Sequence, residues 1–266
     1  MQQTPDFFLP VEKLPMADIL PGYGFNSGIT HLIVTKTPEG PKVVNSCSKN
    51  YTIIRNEDIF KPLEEKMSEA FDIEIKGSHV NYSKFYMDFM IKDKAFPILA
   101  KDSIIPQIRV MNSYDGSLKY SFKLMFLRLV CTNGMTVPMS DAKGAHIKMM
   151  HTPSAIGKWE KVVDIAHEFL GKAKDMLGGY KELASNKLTL EQAMLRIEEV
   201  LKHTKAPSKA KERMVDKLQQ EHKLGLPYSD WLVYNAVNYE LNHGEGKSPL
   251  HKKDKVDQQV LNYLLS

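Results

Sequence analysis

Cysteine is nearly absent from this chain: Cys47 and Cys131 are the two thiols in 266 residues. Two thiols so far apart supply neither a disulfide framework nor a zinc-ligand spacing, and they fit a reduced, cytoplasmic setting. Cys131 closes an apolar run and reads as a small buried hydrophobe rather than a nucleophile. No apolar run approaches the roughly 20 residues that a membrane span needs, and the acidic, proline-bearing N-terminus lacks the pattern of a secretory leader. A Gly-rich phosphate loop, a Walker lysine, a dinucleotide-binding fingerprint and a nucleophile elbow are also missing. His146 and His151 stand five apart with no neighbouring ligand pair, so no metal is expected there. Asp141 with those two histidines comes nearest to a general acid–base set, and nothing around it supplies a substrate pocket. The expectation is a protein with no cofactor, no metal and no catalytic constellation.

What is present is ordinary in bulk and uneven in detail. A hydrophobic content of 42% with 26% charged residues is that of a globular protein able to bury a full core. The net charge of +4 says little, but its distribution says more. From Lys76 to Arg128 there are nine basic residues and four acidic ones, with Tyr82, Phe85, Tyr86, Phe89, Phe96, Tyr114, Tyr120, Phe122 and Phe126 between them. Amines neutralise phosphates and rings stack on bases, so this mixture suits nucleic acid. It equally suits a solvated sheet face above an aromatic core.

The patterning predicts an α+β fold: an antiparallel β-meander flanked by helices, with an all-helical C-terminal region. Residues 1–28 carry Pro5, Pro10, Pro15 and Pro21 and read as an irregular arm whose apolar residues pack on something. Residues 29–180 form the α+β core domain and 181–266 the helical region. Short strands are expected over 30–35 and 43–46, and a further short extended segment over 51–54. Asn56 is expected to cap a helix running to about Phe71. Strands follow over 73–80, 83–92, 104–112 and 118–131, the last two joined by a tight turn at Asp115-Gly116. In the long last strand Lys119, Ser121 and Lys123 share one face; Tyr120, Phe122, Leu124 and Phe126 share the other. Arg128 interrupts that apolar face. Buried, it needs a carboxylate or several carbonyls, and it is read as pinning the Thr132-Asn133 turn in preference to binding phosphate. Thr152-Pro153 starts a long helix, expected to lie across the sheet and to end at Gly178-Gly179. Four shorter helices follow, the first opened by a capping box of Thr189 and Gln192.

Several of these segments resemble one family. Asn112-Ser-Tyr-Asp-Gly-Ser and Arg128-Leu-Val-Cys-Thr-Asn-Gly-Met are similar to the paired signature of a phage and plasmid-like family catalogued only as a domain of unknown function. Tyr51-Thr-Ile-Ile-Arg-Asn, His151-Thr and Trp231 through Asn235-Ala236-Val237 match further stretches of it. Gly134 and Asn238 depart from the pattern, each standing where a Thr is usual. The resemblance implies no activity by itself. The helix–meander–helix order is in turn similar to the core of single-strand annealing proteins, which assemble into rings or filaments with DNA in a basic groove, an architectural analogy only.

The expected function is therefore single-stranded DNA binding in annealing or recombination, by a phage protein in the host cytoplasm. Lys84, Lys92, Arg109, Lys119 and Lys123 would contact phosphates and Tyr86 and Tyr120 would stack on bases, with Lys94, Tyr82 and Tyr114 as further candidates. The alternative is an interaction module whose arm and helical tail bind a host or phage protein. A homo-oligomer is expected because a long sheet has edges to cover. No membrane partner is expected.

Overall fold

A computed structural model describes residues 7–24, 28–129, 136–138, 146–206, 208–244 and 250–266. In chain order the strands are β1 (Val11–Pro15), β2 (His31–Thr37), β3 (Gly40–Cys47), β4 (Ile73–Val80), β5 (Lys84–Ile91), β6 (Phe96–Leu99), β7 (Asp102–Ser113), β8 (Tyr120–Arg128), β9 (Thr136–Pro138) and β10 (His146–Met149). The helices are α1 (Met16–Ile19), α2 (Asn56–Ala70), α3 (Glu160–Ser185), α4 (Leu190–His203), α5 (Lys211–Lys223), α6 (Asp230–His243) and α7 (Leu250–Leu264). The α+β class expected from the sequence is the class found. Among the described residues no helix is long and apolar enough to cross a membrane.

The chain divides into two compact units, and the division passes through β7, β8 and α3. The first holds residues 1–93, 107–124 and 143–168; the second holds 94–106, 125–142 and 169–266.

In the first unit β1, β2 and β3 form a small antiparallel sheet, with Val11 opposite Thr35 and His31 opposite Cys47. The proline-rich arm thus contains a strand where irregular chain was expected. Its prolines lie at the ends, Pro10 before β1 and Pro15 as its last residue, on an edge strand that tolerates a missing N–H. Phe7 packs on Phe60 and Phe85 with ring centroids 4.9 and 5.6 Å away, which ties the arm to its own unit. The larger sheet runs β10–β8–β7–β5–β4. Helix α2 buries Ile59, Phe60, Leu63 and Met67, one stripe at helical spacing, with Glu57 and Asp58 at its positive end.

In the second unit β6 pairs with the start of β7 and β9 with the end of β8. Helix α6 is buried almost all round and forms the centre, with Tyr234 stacked on Tyr180 from α3 and the Trp231 ring tilted against it at 5.4 Å. Those contacts explain why α3 runs on past Gly178 and Gly179 to Ser185. Two glycines cost about 1 kcal/mol each relative to alanine, whereas burying Leu177, Tyr180 and Leu183 stabilises by roughly 1.5–3 kcal/mol per side chain. At its start Thr152-Pro153 opens a 3-10 turn over Pro153–Trp159 before the α-helix begins.

Candidate functional site

Three of the segments that carry the family resemblance meet in the first unit. Asn112, on β7, donates from Nδ2 to the Ile54 carbonyl at 2.8 Å and to Asn56 Oδ1 at 2.9 Å. Asn56 donates from its own Nδ2 to the Phe7 carbonyl at 2.9 Å, and its backbone N–H to Tyr114 Oη at 3.0 Å. Asn56 is thus the first residue of α2 and the node of a buried network. It does not cap the helix: Arg55 stands at that position, with no side-chain hydrogen bond there. Burial, chiefly, pushes the Tyr114 phenol far up, so it stays protonated.

Beside this network two turns lie together. Asp115 and Gly116 do not form a two-residue turn: strand pairing stops at Ser113 and resumes at Tyr120. Asp115 Oδ1 accepts the Ser117 N–H at 2.9 Å, and Ser113 Oγ both donates to the Leu118 carbonyl and accepts its N–H at 3.0 Å. An Asp that can close a longer loop through its side chain competes with the tight turn. Of these loop residues Gly116, at φ 70°, is the one in left-handed backbone. Asp115 Oδ2 also accepts from Ser83 Oγ at 3.1 Å and lies 3.8 Å from Lys84 Nζ. Burial pushes the Asp115 carboxyl up, but the hydrogen bonds from Ser117 and Ser83 and the charge of Lys84 hold it below its ordinary value.

Ser83 closes the β4–β5 turn, whose central residues Asn81 and Tyr82 have φ of 51° and 55°. Asn tolerates this conformation; for Tyr it costs on the order of 1 kcal/mol. The Tyr82 ring is half-buried and stacks on His79 at 4.6 Å, and the ammonium of exposed Lys42 lies 5.8 Å from its centroid.

Tyr51 and His151 form the third contact. Burial, with the nearby charges of Cys47 and Asp115, pushes the Tyr51 phenol up to about 12. Burial also holds His151 below its ordinary value. A protonated phenol beside a neutral imidazole means that Tyr51 donates to His151 Nδ1, which leaves the ring proton on Nε2. Neither group is poised to take or give a proton at neutral pH. Nδ1 of His151 is thus engaged by Tyr51; Asp141 and the side chain of His146 lie outside the described residues, as do Cys131 and the Thr132-Asn133 turn. Among the described residues no group of three His, Cys, Asp or Glu side chains is placed to hold a metal.

The expected phosphate-binding set does not form one solvent-exposed cluster, although the register puts Lys84, Tyr86 and Arg109 on the same face of the sheet. Lys123 and Tyr120 are 3% and 0% exposed, because β8 is covered on both sides where one solvated face was expected. Arg109 is held by Asp88 through two hydrogen bonds of 2.7 Å. Tyr86, opposite Met111, is half-buried. Lys92 meets Asp72 at 3.3 Å, and β5 separates it from Lys84 by about 25 Å at ~3.3 Å per residue. Lys84 and exposed Lys119 do belong together, at the two-turn end. Two cations that the sequence reading missed join them there: Lys42, and Lys148 in β10, opposite Ser121 and so on the face of Lys119. Lys148 was missed because 132–151 reads as loop.

In the second unit Arg128 is buried as expected, and its partners are carboxylates. Its Nε donates to Asp102 Oδ1 and Oδ2 at 2.9 and 2.8 Å and its Nη1 to Glu221 Oε2 at 2.6 Å. Trp231 Nε1 donates to Asp102 Oδ2 at 2.8 Å, and the Trp231 ring lies 5.6 Å from the guanidinium. Burial pushes Arg128 down, but Asp102 and Glu221 more than offset it. This is a closed structural cluster with no cation to spare for phosphate.

No curated protein and no solved structure matches the chain. A family match does cover residues 43–263, almost everything from β3 to α7. The protein therefore belongs to the family described as Domain of unknown function (DUF932).

Proposed function

We propose that this is a single-stranded nucleic-acid-binding protein of a phage or mobile element, acting in DNA annealing or recombination as a cytoplasmic homo-oligomer without a cofactor. The observation that carries the reading is the two-turn end of the first unit, where the ring of Tyr82, a residue with left-handed backbone, has Lys42 beside it and Lys84, Lys119 and Lys148 stand at the neighbouring turn and strand. Base–aromatic stacking is worth ~1–3 kcal/mol, more than the ~0.5–1 kcal/mol of an exposed cation–π contact, so a base can displace Lys42 from the ring and leave its ammonium for the backbone. The Lys84–Asp115 pair, at 3.8 Å and part-exposed, is worth about 0–1 kcal/mol and exchanges readily for phosphate. Lys123, Tyr120 and Arg109 take no part in this version of the site.

Fluorescence anisotropy with a labelled oligothymidine tests it. Lys119→Glu with Lys148→Glu weakens binding at least about tenfold at low salt, since two phosphate contacts turn into repulsions. Binding unchanged by that double reversal overturns the assignment.

A second reading rests on a separate observation: Ile19, Leu20, Tyr23 and Ile29 are solvent-exposed, Tyr23 at 72%. Exposed apolar groups so near one another in sequence suit a protein partner. On that reading no oligonucleotide binds, and Leu20→Ser with Tyr23→Ser releases a partner retained after nuclease treatment.

A further inference from the structure

Strand β4 ends the larger sheet, and among the described residues it is paired on one side only, with β5. Its register with β5 runs unbroken from Ile73 opposite Ile91 to Val80 opposite Lys84, without bulge or proline. Such an edge presents a row of unused backbone donors and acceptors. Glu74, Lys76, Ser78 and Val80 are exposed; Ile73, Ile75, Gly77 and His79 are half-buried. Two half-buried isoleucines on an open edge gain apolar burial from another strand.

A lysine on an edge ordinarily repels a second copy, because like charges meet. Here Glu74 stands two residues before Lys76, and that spacing changes the outcome for one register. When two β4 strands pair antiparallel about a two-fold axis through Ile75, Glu74 of each copy faces Lys76 of the other. Ile75 then faces its own counterpart, and Ile73 faces Gly77, a large side chain against none. Moving the axis to Glu74 sets glutamate against glutamate; moving it to Lys76 sets lysine against lysine. Shifts that place exposed residues opposite half-buried ones exchange the two faces of the strand. Of the registers that keep both faces, the one centred on Ile75 is thus the one that pairs Glu74 with Lys76 and sets a large side chain against Gly77.

We infer that β4 is a self-complementary edge through which two copies of this chain join their sheets, centred on Ile75, with reciprocal Glu74–Lys76 pairs. The inference is independent of nucleic-acid binding. An interface of one short strand is smaller than a standard protein–protein interface, so the dimer is reversible and does not lock permanently.

Sedimentation velocity on the full chain, from about 1 to 100 μM, is the test. The native chain shifts from monomer to dimer across that range. Glu74→Lys alone and Lys76→Glu alone each raise the dissociation constant at least about tenfold, because each sets like charges opposite one another. The combined swap restores it to within about threefold. Both residues are exposed, so the fold tolerates the reversals, and unchanged circular dichroism verifies this. A second variant is independent of charge. Ile75→Cys, on the axis, forms a disulfide-linked dimer on mild oxidation, its Cα atoms falling within the roughly 4.4–6.8 Å a disulfide needs. Ser78→Cys, facing Asp72, forms none. A chain that stays monomeric throughout, a dimer indifferent to the single reversals, or a combined swap that fails to restore association overturns the inference.

Discussion

Arg128 illustrates what a single residue discloses in a sequence. An arginine on the apolar face of a strand must be satisfied by acceptors if buried, and that much is legible from parity alone. Which acceptors answer it is not: Asp102 and Glu221 lie 26 and 93 residues away, and no local pattern announces either. Removing one partner from a buried charge cluster leaves the others unpaired, so Arg128→Met costs about 3–5 kcal/mol in urea unfolding. Lys92→Met, at a surface pair with Asp72, costs under about 1 kcal/mol. Comparable losses for the two would show that the cluster is not what holds this region. Lys123 marks the converse limit. Period two assigns it to a face, but whether a face is solvated depends on what the rest of the chain lays over it. The Tyr51–His151 pair is not legible for the same reason: 100 residues separate the two, and nothing local joins them.

At the scale of elements, periodicity carried most of the information. Helix α2, helices α4 to α6 and strands β4, β5, β7 and β8 lie where spacing puts them, because one buried stripe per element is a local property; α7 starts at Leu250, ahead of the expected Lys255. The differences come where tertiary contacts outweigh local preference. Strand β1 forms between prolines, and α3 continues through two glycines under the hold of Tyr180. The Asp115-Gly116 turn opens because Asp115 and Ser113 close a longer loop with their side chains. The capping box was fully readable: Thr189 accepts from the Gln192 N–H and Gln192 reaches back to the Thr189 N–H at 2.8 Å. Thr189→Ala accordingly destabilises by about 1 kcal/mol, seen as a lowered unfolding midpoint with an unchanged denaturant slope. No shift in the midpoint would mean that α4 is held by packing alone.

For the whole molecule, the α+β class follows from the order of elements, and family membership rests on a match over residues 43–263. The division through β7, β8 and α3 was not readable, since all three elements are continuous in sequence while their halves pack with different neighbours. The candidate site was half readable. Its basic and aromatic composition is visible in the chain, but which cations reach solvent together is decided by burial and by Asp72, Asp88 and Asp115. Four solvent-reaching lysines, Lys42, Lys84, Lys119 and Lys148, remain at the end that carries the Tyr82 turn.

The most direct measurement is the affinity of the native chain for oligothymidine across a salt series. Four phosphate contacts on single-stranded DNA predict that log Kobs falls against log salt with a slope of about −3, with little dependence on base sequence. No measurable binding at low salt, or an affinity that salt leaves unchanged, would contradict the account.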